Sequence, residues 1–156
     1  MKKLFVCLAV TLLAAGCNSN DSGGGSPTDP SQVSIELSFS DLVVGTGAEA
    51  TPGKIATFNT WELWLYNAAG TASKGTHIQS NTDPTSGGGV VGPITYTVAS
   101  SQLIPGFDQG VRGMRVGGKR RIYIPSSLGY GSAGGGGGRI PPNAALVFEV
   151  ELTNIQ

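Results

Sequence analysis

Residues 116–148 read V-G-G-K-R-R-I-Y-I-P-S-S-L-G-Y-G-S-A-G-G-G-G-G-R-I-P-P-N-A-A-L-V-F. Arg120 to Ile124 alternates polar and apolar side chains with a period of two, the mark of a half-buried strand. Ala145 to Asn154 repeats the pattern and sets Leu146, Phe148, Val150 and Leu152 on one face. Between these strands lie Tyr130 flanked by two glycines, the glycine run 134–138 and the Pro141-Pro142 turn. The segment therefore predicts a site built jointly from strand and loop, with the glycine run as a flexible flap beside it.

Upstream, the segment from Leu103 to Pro105 opens a short helix running towards Val111, with Pro105 in the first turn and Ser100-Ser101 as candidate caps. Gly106, Gly110 and Gly113 make this helix intrinsically weak, so packing must hold it. Ile94 to Val98 predicts a strand, and Asn67 to Gly92 a long loop with a brief strand near Thr76 to Ser80. Lys54 to Tyr66 is rich in β-branched and aromatic residues and predicts one long strand. Simple alternation along it places Trp61 and Trp64 on opposite faces, with Trp61 towards the site and Trp64 in sheet packing. Val33 to Phe39 alternates as a further half-buried strand, followed by turns from Asp41 to Gly53. The sum is an α+β domain over residues 33–156, with five or six antiparallel strands and one short helix.

The first residues predict a leader. Lys2 and Lys3 precede an apolar run, Leu4 to Leu13, that is too short to span a bilayer. The run ends in L-L-A-A-G-C at residues 12–17, which resembles a bacterial lipobox, although Ala14 stands where Leu is usual. That resemblance implies cleavage after Gly16 and lipidation of Cys17, anchoring the chain to a membrane. Asn18 in place of Asp points to the outer membrane of a cell envelope, on its periplasmic face. Residues 17–32 then form a lipidated Cys and a polar tether with a reach of roughly 20 Å. Cys7 falls in the leader, which leaves no pair for an internal disulfide.

Composition narrows the function. Without Lys2 and Lys3 the chain carries 8 basic and 10 acidic residues, so no broad positive field exists for nucleic acid. The one basic cluster, Lys119-Arg120-Arg121, reads as a solvated strand edge. Residues 129–134 fit G-x-G-x-x-G literally, but no helix follows, and no Lys-Ser or Lys-Thr follows the glycine run. His77 is the only histidine and reads as a surface loop residue, which leaves no histidine cluster for a metal. Asp108 and Glu149 read as solvated charges.

G-G-K-R-R-I-Y-I-P-S-S-L-G-Y-G followed by I-P-P-N-A-A-L-V-F-E-V-E-L, with L-I-P-G-F-D-Q-G-V-R-G-M-R-V-G upstream, closely resembles the FK506-binding-protein (FKBP) class of peptidyl-prolyl cis-trans isomerases. W-L-Y at 64–66 and G-T-H-I-Q-S at 75–80 extend the resemblance more loosely, so that it covers roughly Asp41 to Ile155. It implies a sheet curled around one helix and an apolar groove that takes up a prolyl ring. Tyr130, Ile104 and Phe107 match the catalytic positions: a loop hydroxyl and a backbone N–H that hold carbonyls, and an aromatic floor. Leu103, Ile140 and Phe148 match groove walls, and Trp61, Ile78, Gln79 and Ile94 align with its remaining substrate-binding positions.

Such a site needs no cofactor, and its partners are proline-containing segments of exported proteins and FK506- or rapamycin-type ligands. The chain departs from the family at the second wall. Ile78-Gln79 stands where Phe-Asp is usual, Trp61 where a tyrosine is common, and Ile94 where an aromatic residue is common. These changes predict weakened turnover or altered ligand preference. The sequence thus implies a prolyl isomerase that assists folding of exported proteins; the alternative is a weak or inactive proline-binding chaperone module of the same fold.

Overall fold

A computed structural model describes residues 33–82 and 92–156. The expected leader, Cys17, the tether, and Asp83-Pro84 and Gly87-Gly88-Gly89 of the expected long loop lie outside the described residues. The strands are β1 (Ser38–Val43), β2 (Ile55–Tyr66), β3 (Lys74–Ser80), β4 (Ile94–Thr97), β5 (Lys119–Ile124) and β6 (Leu146–Ile155), with one helix, α1 (Pro105–Val111), between β4 and β5. They form one antiparallel sheet in the order β1-β5-β6-β2-β3, with β4 paired to the start of β2. This is the α+β architecture that the alternating segments predict.

β2 spans the expected residues but does not alternate evenly. Ala56 and Phe58 are buried, and then Trp61 and Leu63 are, so the inward parity flips across Asn59 and Thr60. The register against β6 shifts between Phe58 and Thr60, which marks a β-bulge. At the same place the other edge of β2 changes partner, from β4 along Ile55–Phe58 to β3 along Glu62–Tyr66. Phe58 and Trp61 therefore face the same interior, which period-two counting had placed on opposite faces. Trp64 lies on the outer surface, with the Lys74 ammonium 3.7 Å from its ring centroid and the His77 ring at 5.4 Å. His77 is thus on strand β3, not in a loop.

The first strand is displaced from its expected position. Pairing begins at Ser38 and continues to Val43, and every residue of β1 is exposed. Ile35 and Leu37 still turn partly inward, so the alternation is real, but it says which way side chains point and not where a ladder starts. The neighbouring basic cluster is not a solvated edge. Its strand, β5, runs between β1 and β6, and Arg120 is only 5% exposed. The Arg120 guanidinium donates to both Asp41 carboxylate oxygens, at 2.6 and 3.1 Å, and to the Gly110 and Arg112 carbonyls at 2.9 and 3.0 Å. One buried side chain thereby ties the edge strand to the end of α1, where the carbonyls have no helical partners.

α1 begins at Pro105 with Ile104 at the N-cap, and no serine side chain caps it. Ser100 instead donates its hydroxyl to Gln102. Asp108, expected in solvent, is 5% exposed and accepts hydrogen bonds from the Ala99 amide at 2.7 Å, the Tyr96 hydroxyl at 3.2 Å and Arg112. It clamps the β4–α1 connection onto the helix. The helix glycines have a packing reason: a Cβ on Gly106 would lie 2.3 Å from Ile124 Cγ2, and one on Gly110 2.4 Å from Ile122 Cγ2. Backbone packs directly on the side chains of β5. Phe107 is driven into the core, 2% exposed, with ring centroids of Phe148, Phe58 and Tyr96 at 5.1, 5.6 and 6.0 Å.

Gly110→Ala should accordingly lower stability by about 1–3 kcal/mol through overpacking, although helix propensity alone would raise it by about 1 kcal/mol. Urea unfolding midpoints of the two proteins decide which effect wins.

Candidate active site

A cleft of about 250 Å³ opens between the start of α1 and the inner face of the sheet. It is lined by Trp61 and Leu63 from β2, Gln79 from β3, Ile94 from β4, Phe107 from α1, Phe148 from β6, Leu103 and Ile104 before the helix, and Tyr130 from the β5–β6 connection. The volume is below the about 300 Å³ at which drug-sized sites begin, so it suits one small ring. Residues from four strands, the helix and two loops converge here, and the bulge in β2 turns Trp61 and Leu63 inward beside Phe107.

Two residues expected in the lining are elsewhere. Ile78 is 5% exposed and Ile140 2% exposed, and both pack in the core behind the cleft. Gln79 pairs with Leu63 and shares its face, whereas Ile78 falls at the register shift between Leu63 and Trp64 and turns into the core. Ile140 supports the loop: its N–H and carbonyl both pair with Gly135, at 3.1 and 3.0 Å. Leu63 was not among the expected lining residues, although it shares the parity of Trp61 and joins it in the cleft.

The glycine run carries local structure of its own. Residues 131–133 and 136–138 form 3₁₀ turns, and Gly135 packs so closely on Tyr130 that a Cβ there would lie 2.7 Å from the ring. The loop backbone thus stands against the tyrosine and sets its angle. Tyr130 remains 37% exposed, and its partial burial raises the pKa of its phenol, which keeps it a neutral donor. Arg139, which the sequence did not mark, donates to the Gly136 carbonyl and, across the gap, to the Ile78 carbonyl, both at 2.9 Å. That second bond joins the tyrosine-bearing loop to β3 beside Gln79.

Asn81 is a second residue that no local pattern reveals. It fills the gap where β2 changes partners, accepting from the Trp61 amide at 3.0 Å and donating to the carbonyls of Asn59 and Gly92. The Trp61 indole N–H donates to the same Gly92 carbonyl at 3.2 Å. The indole therefore presents its apolar ring to the cleft while its donor is spent on the backbone. Two other donors remain: among the described residues, neither the Ile104 N–H nor the Tyr130 hydroxyl has a protein acceptor. No lining side chain among the described residues is ionised at neutral pH. The site can hold an apolar ring and offer neutral donors to carbonyl oxygens, with no nucleophile or acid–base pair.

Residues 64–153 match the family described as FKBP-type peptidyl-prolyl cis-trans isomerase. An FK506-binding protein of Neisseria meningitidis serogroup B is 43% identical over 119 residues, covering 76% of this chain and 95% of the relative. FK506-binding protein 2 of Dictyostelium discoideum is 34% identical over 155 residues, covering 99% of each chain. Among solved structures, that of AtFKBP13 superposes with a TM-score of 0.62 at 31% identity, covering 80% of this chain and 98% of that one.

The helix that carries the cleft floor has a predictable acid response. Burial pushes the Asp108 carboxyl up, but the Ala99 amide, Arg112 and the Tyr96 hydroxyl outweigh burial and hold it below the usual carboxylate range. The folded state therefore binds the Asp108 proton less readily than the unfolded chain does. Its stabilisation is complete above the unfolded value, about pH 4, and is lost as pH falls through the folded one. Asp108→Asn should be less stable than wild type at pH 7, with the difference shrinking steadily below about pH 4. Urea midpoints measured across that range provide the check, and a constant difference would show that the carboxylate charge is not what clamps the helix.

Proposed function

Because this chain belongs to the FKBP-type peptidyl-prolyl cis-trans isomerase family, we propose that it turns Xaa-Pro bonds of exported proteins at a membrane surface, held there by lipid on Cys17. The observation that carries the catalytic part is the cleft over Phe107: mostly apolar, sized for one ring, with the Ile104 N–H and the Tyr130 hydroxyl left over as donors among the described residues. We assign Phe107 as the floor under the prolyl ring, with Trp61, Leu63, Ile94, Leu103 and Phe148 as its walls. Ile104 and Tyr130 hold carbonyl oxygens of the substrate. Ile78 and Ile140 act from behind, as packing for β3 and for the loop.

The chemistry follows from the amide. Its conjugation sets a rotation barrier of about 18–20 kcal/mol, and rotation moves through a twisted form in which conjugation is broken. The planar amide is the more polarised of the two and gains more from water. Taking the ring and its amide into an apolar cleft removes that advantage, so the twisted form is bound better relative to the planar one. Donors fixed at the carbonyls hold the flanking chain while the ring side stays put. No bond is made or broken, which is why neutral side chains suffice.

Gln79 replaces the usual carboxylate with a carboxamide, which can hydrogen-bond but carries no charge. Together with the engaged Trp61 indole, this supports a second reading, a holding module that binds proline segments and turns them slowly. A Gln79→Asp variant separates the two readings. A gain in kcat/KM would mean the missing charge limits turnover, and an unchanged rate would mean it does not.

Tyr130→Phe should lower kcat/KM by about fivefold, the worth of one neutral hydrogen bond. Phe107→Leu, which keeps the core filled but removes the flat floor, should lower it by about tenfold or more. Both are read in an exchange assay on an Ala-Leu-Pro-Phe peptide, and wild-type rates in both variants would place the site elsewhere. For the anchor, Cys17→Ala should move the protein from the membrane fraction to the soluble fraction of lysed cells. Retention in the membrane would contradict lipidation at that residue.

A further inference from the structure

The described residues include five arginines, and four of them pair with carboxylates: Arg112 with Asp108, Arg115 with Glu49, Arg120 with Asp41, and Arg121 with Glu149. Arg139 is the exception. Among the described residues it meets no carboxylate, and its guanidinium is held by two carbonyls, those of Gly136 and Ile78. Both contacts place it at the rim of the cleft. Ile78 precedes Gln79, which lines the cleft, and Gly136 follows Gly135, which backs the Tyr130 ring. The positive charge therefore sits where the loop and β3 meet, beside a lining in which no described side chain is ionised.

We infer that Arg139 is a specificity-determining residue that makes the cleft prefer prolines flanked by an acidic side chain. The inference rests on the cleft being the substrate site. With a carboxylate at the position of Gln79, an arginine bound to the carbonyl of the preceding Ile78 would be compensated; with the carboxamide, its charge is left for the substrate. A guanidinium already fixed by two carbonyls needs little ordering to meet a carboxylate. The same two hydrogen bonds, to the Gly136 and Ile78 carbonyls, keep the charge at the rim. An acidic residue beside the proline gains from this charge, and a lysine there is disfavoured.

The test uses the full chain and capped peptides with Glu, Gln or Lys placed immediately before the proline and, in a second set, immediately after it. Exchange rates are measured at low and at high salt. At one of the two positions, kcat/KM for Glu should exceed that for Gln by about threefold to tenfold at low salt, and the ratio should shrink in high salt. Arg139→Gln should bring the ratio to about one, whereas Arg139→Lys should keep part of it. Equal rates for Glu and Gln at both positions, in a protein that does catalyse exchange, overturn the inference and leave the isomerase reading intact. If no peptide is turned over, the isomerase reading fails, and binding titrations of the same peptides decide the preference separately. Tighter Glu binding that is lost in Arg139→Gln supports it; equal binding refutes it. The salt series on the unaltered chain keeps the test open even if a variant does not fold.

Discussion

The distance between α1 and β5 governs the rest of the molecule. At Gly106 and Gly110 the helix backbone rests on the methyl groups of Ile124 and Ile122, at a separation that no side chain would permit. A helix of seven residues with two such glycines has little stability of its own. It is held by contact from several sides: Arg120 takes carbonyls at its end, Asp108 binds the connection at its start, and three aromatic rings surround Phe107. Because the helix sits so low, Phe107 lies at the level of the sheet and becomes the floor of a cleft. Were it a methyl group higher, the ring would rise into the space that the cleft occupies.

Much of this architecture is legible in the chain. Alternation in β5 and β6 fixes which residues face inward, and the proline at the start of α1 marks where the helix begins. The cleft is also visible as a set of residue types, eight of whose ten expected members line it. What alternation cannot show is where a strand gains a residue. The bulge at Asn59 in β2 and the register shift at Ile78 in β3 come from pairing with distant strands, so Phe58 and Trp61 share one interior and Ile78 leaves the lining. Burial of charge is equally hidden: Asp108 and Arg120 read as surface residues, because their partners lie far along the chain or on another element. Asn81 and Arg139 escape for the same reason, since each acts by hydrogen bonds to backbone carbonyls that only the fold brings near.

The two walls of the cleft have different character. The wall formed by α1, β6 and the loop keeps the features by which the family resemblance is read: Ile104, Phe107, Phe148 and Tyr130 stand together. The wall formed by β2, β3 and β4 differs, with Trp61, Gln79 and Ile94, and its indole donor is committed to Gly92. The change is coherent: an aromatic ring and a neutral amide replace polar groups that could carry or bind charge. It leaves a cleft with no ionised side chain among the described residues, in which desolvation and neutral hydrogen bonds must supply the rate enhancement.

That claim is tested most directly by the pH dependence of kcat/KM on a neutral, capped Xaa-Pro peptide. With no lining side chain among the described residues that ionises below the raised Tyr130 phenol, the profile should be flat between about pH 5 and pH 9. A sigmoidal fall within that window would reveal an ionised group at work in the cleft and contradict the account.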